Sequence, residues 1–151
     1  MKNIILIIAI AGLFLLSCTE TEQISSKPDI PDSLEFVVPK HIFSGTRFAF
    51  VYNDKLITTK VLDIECFEPG NQVLLQEQAA RAGISSDSAL VLAIKAKKLA
   101  DSLILEKEVR ITRNSSGSDY DSWGRIYRYV EVAGLRYDSI MLERNLVLLL
   151  K

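Results

Sequence analysis

Two β-rich runs joined by an Asn-Asp step constrain the fold of this chain more than any other feature. Arg47, Phe48, Ala49 and Phe50 alternate polar and apolar, as a strand with one face on a core requires, and Asn53-Asp54 separates RFAFVY from LITTKVLDIECF. Asn and Asp tolerate the left-handed backbone of a tight turn, so the two runs are expected to close as a hairpin. LEFVV and HIF precede it, with a turn at Ser44-Gly45, and three consecutive antiparallel strands are expected within residues 34–68.

Pro69-Gly70 ends that stretch. Residues 71–82 have the spacing of a short helix closed by Gly83. Ser85 or Ser86 then caps a second helix, on which Leu90, Ile94, Lys97, Lys98, Asp101 and Leu105 alternate apolar and charged faces, with Lys95, Lys97 and Lys98 solvated. EKEVRITR and RIYRYVEV return to strand alternation on either side of the turn-rich NSSGSDYDS. Asp138 is expected to cap a last helix over residues 139–144, with Asn145 as its left-handed stop. The fold class is therefore mainly β with two to three helices. So small an open sheet would expose its edges, and a five-stranded OB-type barrel is the expected form. There is no internal repeat and no coiled coil.

The N-terminus has one lysine and an apolar run from Ile4 to Leu16, shorter than the ~18 residues of a spanning helix, and reads as a signal peptide over residues 1–17. Leu15-Leu16-Ser17-Cys18 resembles the lipobox of bacterial lipoproteins, which implies lipidation of Cys18 and an extracytoplasmic, membrane-anchored domain at the cell envelope. An ordinary signal peptide with a chance cysteine is the alternative. Residues 18–33 read as a polar tether that could reach about 45 Å when extended, leaving residues 34–151 as one small domain. Removing residues 1–17 takes away Lys2 and no acid, so 17 basic face 19 acidic residues and no global field draws in polyanions. Any nucleic-acid binding must be local. Cys66 follows an apolar strand and reads as a buried thiol; with only His41 as a partner, cysteine-histidine catalysis is a poor fit.

Two segments carry the chemistry: TKVLDIECFE, from Thr59 to Glu68, and DSWGR, from Asp121 to Arg125. Phosphodiester hydrolysis needs positive charge on the non-bridging oxygens, a carboxylate to take a proton from water, and usually a metal. Lys60 and Arg125 supply charge, Glu68 is a candidate base and Glu65 a candidate metal ligand. Together the segments resemble those of the thermonuclease, or staphylococcal nuclease, family, with Gly45, the helix around Lys95 to Leu103, and DSIMLERNLV also in the places that family would put them. The resemblance covers nearly all of residues 34–147. It implies an OB-type barrel, Glu68 as the general base, Arg125 as the phosphate-binding arginine, Trp123 as a nucleotide-stacking aromatic, and DNA or RNA as substrate of a monomer.

Departures from the family's pattern weaken the activity it implies. Lys60 stands at an arginine position and loses the planar fork. The metal site would use Thr46, where the family has an aspartate, together with Glu65 and the Cys66 backbone carbonyl. One carboxylate is lost, so Ca²⁺ is expected to bind weakly or not at all. Phe67 replaces a proline. Two functions follow from this pattern: a weakened metal-assisted nuclease, or a catalytically lapsed OB-fold module that binds nucleic acid or an envelope protein. A purely structural surface lipoprotein has no positive sign beyond the anchor. Each residue also has a plainer reading: Glu68 as a solvated loop acid, Arg125 as an exposed arginine opening a strand, and Trp123 as a lid on the core. Tyr120, Tyr127, Tyr129 and Tyr137 read more readily as half-buried strand residues than as a base-stacking surface.

Overall fold

The computed structural model describes residues 29–148. The signal segment, Cys18 and most of the tether lie outside the described residues, as do residues 149–151. In chain order the elements are β1 (Ser33–Val37), β2 (His41–Ser44), β3 (Arg47–Tyr52), β4 (Lys55–Val61), α1 (Gln72–Ala82), α2 (Ser86–Ile104), β5 (Val109–Thr112), β6 (Ile126–Val132), β7 (Leu135–Arg136) and α3 (Tyr137–Glu143). No helix among the described residues is long and apolar enough to cross a membrane.

The hairpin forms where the alternation places it. β3 and β4 pair from Arg47↔Lys60 to Tyr52↔Lys55, and Asn53 and Asp54 turn the chain at φ 48° and 59°. β4 then pairs in parallel with β6, and the mixed sheet runs β1-β5-β6-β4-β3-β2, with β7 beside β6. It is not closed into a barrel by its ladders.

LEFVV does not pair with the run that follows it: β1 pairs with β5, and Pro39, which has no N–H to donate, parts β1 from β2. With β7 added by a tight turn at Ala133-Gly134, the described residues form seven strands rather than five. Both the helix around α1 and the Ser85 cap of α2 agree with the sequence; Ser85 accepts from the Ser88 backbone N–H. Asp138 is no cap: it lies in the first turn of α3 and pairs with Arg136. Asn145 does stop that helix in the left-handed region, at φ 53°.

α2 packs on a face other than the one its large side chains suggest. Ala89, Ala93, Ala96, Ala100 and Ile104 are buried at helical spacing, while Leu90, Val91 and Ile94 are exposed. The alanines let α2 lie close against the Ser44-Gly45 turn, where a Cβ on Gly45 would meet Cys66 Sγ at 2.7 Å, Ala96 Cβ at 2.8 Å and Met141 Cε at 2.9 Å. Only glycine fits between them. The core continues through Phe48, Phe50, Ile57, Val61, Ile111, Ile126 and Val130. Ile30 is buried in it as well, so folded structure reaches into the last residues of the segment read as tether.

Candidate functional site

Glu68 lies between β4 and α1 and is only 8% exposed, which excludes a solvated loop acid. Burying a carboxylate is costly unless it is paired and hydrogen-bonded. Arg47 Nη2 donates to Glu68 Oε2 at 2.8 Å and Ser44 Oγ donates to Oε1 at 2.9 Å. The two partners flank the β2–β3 turn, Ser44 ending β2 and Arg47 opening β3.

Buried Gln78 of α1 holds the turn that carries Glu68. Its side-chain oxygen accepts from the Glu68 backbone N–H at 2.9 Å, and its Nε2 donates to Glu65 Oε1 at 2.8 Å and to the Cys66 carbonyl at 3.0 Å. Arg81, one helical turn further on, donates to Glu65 at 3.0 Å. Glu65 Oε1 and the Cys66 carbonyl, two of the oxygens that sequence reasoning offered to a metal from this turn, are thus already engaged by Gln78 and Arg81. Thr46 is buried and neutral, and no group of three or more His, Cys, Asp or Glu side chains gathers for an ion among the described residues. The donor set does not fit Ca²⁺, which needs several hard oxygens with negative charge to spare. Cys66 is fully buried and burial, then the charges of Glu68 and Glu65, push its thiol up to about 12, so it is no nucleophile at neutral pH.

The sheet sets Lys60 beside this turn. Residues directly opposite on neighbouring strands share a face, and the registers Arg47↔Lys60 and Lys60↔Tyr127 make one row across β3, β4 and β6. The adjacent row, Phe48, Thr59 and Ile126, is buried, so the row with Lys60 is the outer one. Lys60 makes no hydrogen bond or ion pair among the described residues.

Arg125 stands immediately before β6, in a loop folded around Asp121. The Asp121 carboxylate accepts from the backbone N–H groups of Trp123 and Arg125, each at 2.9 Å, and from the Arg125 side chain. Burial alone would raise the Asp121 pKa, but these hydrogen bonds outweigh it and hold the carboxyl below its ordinary value. The Arg125 guanidinium lies 4.6 Å from the Trp123 ring centre, and Trp123 itself is 78% exposed, so it is not a lid on the core. Trp123 offers a flat outer face of the kind bases stack on.

Lys60 therefore adjoins the cation that holds Glu68, and Arg125 stands at the start of the next strand, with no hydrogen bond or ion pair between Arg125 and Glu68. Sequence reasoning missed Arg47, Ser44, Gln78 and Arg81, the residues that decide what Glu68 and Glu65 can do. Arg47 gave one signal, its place beside Thr46; Gln78 gave another, a polar residue next to the buried Leu75 and Ala79 on α1. Also missed was Arg128, fully buried on the inner face of β6 and paired with Asp119, the residue that roots the loop before Trp123. Compared with models of protein families and with curated proteins, the chain matches none.

Proposed function

We propose that this domain is a thermonuclease-like OB barrel that binds single-stranded nucleic acid on the outer face of β3, β4 and β6, with hydrolysis lapsed. The barrel reading is supported by the Pro39 bend. The Pro39 carbonyl accepts from Glu106 just before β5 while the Lys40 N–H donates to Ala49 of β3, so β1 and β2 act as two halves of one bent strand that bridges the ends of the sheet. On this reading Lys60 and Arg125 bind phosphates and Trp123 stacks a base, and a lipid on Cys18 holds the module at the cell envelope.

One observation carries the reading: the outer row of β3 and β4 carries Arg47 and Lys60, the loop entering β6 carries Arg125 and an exposed Trp123, and Glu68 and Glu65 are held by internal partners. A base must be free to take a proton from water, and Glu68 already accepts from Arg47 and Ser44. The test is fluorescence anisotropy of a labelled single-stranded oligonucleotide with the full chain in detergent, alongside gels for cleavage in Ca²⁺, Mg²⁺ and Mn²⁺. Saturable binding without cleavage is expected, weakened by Trp123→Ala and by Arg125→Ala. Folded protein that binds no strand refutes it.

A weakened nuclease is the second reading, favoured by the retention of Glu68 within 2.8 Å of a guanidinium. Cleavage abolished by Glu68→Gln would establish it over the first.

A further inference from the structure

Arg47 and Lys60 stand directly opposite each other on β3 and β4, on the outer face. Like charges in that position repel. Glu68 neutralises Arg47 alone, and Lys60 has no partner among the described residues, so the pair carries one more positive charge than its surroundings balance. The Arg47 side chain is part-exposed, so an anion on the outer face can reach the edge of the guanidinium while Nη2 is on Glu68. The Phe43 ring, 5.3 Å from the guanidinium carbon, supports the group from β2. An unbalanced, part-exposed cation pair calls for an anion with several acceptor oxygens, and a phosphodiester has them.

We propose that Arg47 is the built-in cation of this site: it holds Glu68 in the empty protein and grips a backbone phosphate together with Lys60 when a single strand binds, so that recognition needs no divalent metal. The proposal rests on the nucleic-acid reading above. Glu68 then competes with the strand for one guanidinium, and Ser44 remains to hold the carboxylate when Arg47 turns to the phosphate. A guanidinium suits both tasks because its planar fork matches carboxylate and phosphate alike, which the Lys60 ammonium does not.

The measurement is anisotropy of a labelled oligothymidylate with the full chain in detergent, in EDTA and in CaCl₂, across a salt series. The expected affinity is the same in both media. Glu68→Gln tightens binding several-fold, the opposite of what removing a useful carboxylate ligand for metal would do. Arg47→Met weakens binding about tenfold and reduces the slope of log affinity against log salt by about one. Because Arg47→Met strands the buried Glu68, the Arg47→Met/Glu68→Gln pair is measured too and must show the same loss with an unchanged circular dichroism spectrum. Affinity that rises with Ca²⁺, or a double variant that binds like the unaltered protein, overturns the role of Arg47 while leaving the binding reading intact. If the unaltered protein binds no strand at all, the reading itself fails and the role of Arg47 with it.

Discussion

Two arginine–carboxylate pairs flank the outer face of this sheet, and they are built in opposite ways. Arg47 and Glu68 come from separate elements, 21 residues apart, and Glu68 is nearly closed off from solvent. Arg125 and Asp121 are four residues apart within one loop and sit beside an exposed Trp123. The first pair ties the β4–α1 turn to the β2–β3 turn, so its carboxylate is a structural acceptor. In the second, the buried Asp121 side chain gathers two backbone N–H groups and one guanidinium edge, and Trp123 alone is left outward. On the proposed reading the difference separates two roles: a carboxylate that holds two turns together is engaged before water or a metal arrives, whereas a loop closed on its own residues leaves Trp123 exposed.

The independence of that loop is open to the most severe test at its root. Asp119 is the ion-pair partner of Arg128, whose side chain is wholly buried and whose Nε and Nη2 already lack partners. Removing one partner of a buried pair strands the other charge, and Asp119→Ala should cost about 3–5 kcal/mol in urea unfolding. Adding Arg128→Met should restore most of it, since an apolar side chain of similar length replaces the pair. A cost below about 1 kcal/mol would show that Arg128 reaches solvent, and that the loop is rooted by backbone alone.

On the other side of the comparison, Gly45→Ala probes how firmly the Glu68 turn is set. The added methyl would lie under 3 Å from Cys66 Sγ, Ala96 Cβ and Met141 Cε; the Met141 tip can swing aside, but Ala96 and Cys66 yield only if α2 or the Glu65–Glu68 turn shifts. Overpacking of this kind should cost about 2–3 kcal/mol, read as a lower urea midpoint. The Tyr137 hydroxyl, which donates to the Gly45 carbonyl at 2.6 Å, would be displaced with it. Gln78→Leu is a gentler probe of the same turn. It leaves the Glu68 N–H and the Cys66 carbonyl buried without partners, for about 1–3 kcal/mol, and it should leave the Trp123 loop unchanged.

Local signals were legible and long-range ones were not. Asn53-Asp54, Ser85, Gly83 and Asn145 act through their own backbone angles or their nearest N–H groups, so one sequence window contains the whole cause. The partner of β1, by contrast, lies on the far side of two helices, and nothing in LEFVV names it. The face of α2 was misjudged because large aliphatic residues usually mark the core side, whereas here Gly45 and a row of alanines set a close approach that small residues alone permit. In the site, Glu68, Lys60 and Arg125 were found by residue type, but their availability was not. Whether a carboxylate is free depends on Arg47 and Ser44, which the chain supplies from two other strands.

The smallest expected effect separates the two pairs by pH. The Asp121 carboxyl is held below its ordinary value of 3.8, so the order it gives the loop is fully present above that value and is lost as pH falls through the depressed one. Trp123 is the only tryptophan in the chain, which makes its emission a private reporter of this loop. Acid titration should shift that emission with a midpoint below 3.8, while Asp121→Asn should show no such step. Far-UV circular dichroism followed on the same samples must stay constant through the step, since the loop closes on its own residues and can open without the sheet. A midpoint at or above the ordinary value would mean that the Arg125 and Trp123 hydrogen bonds do not hold Asp121 in its charged form, and that the loop, like the Glu68 turn, takes its shape from the core.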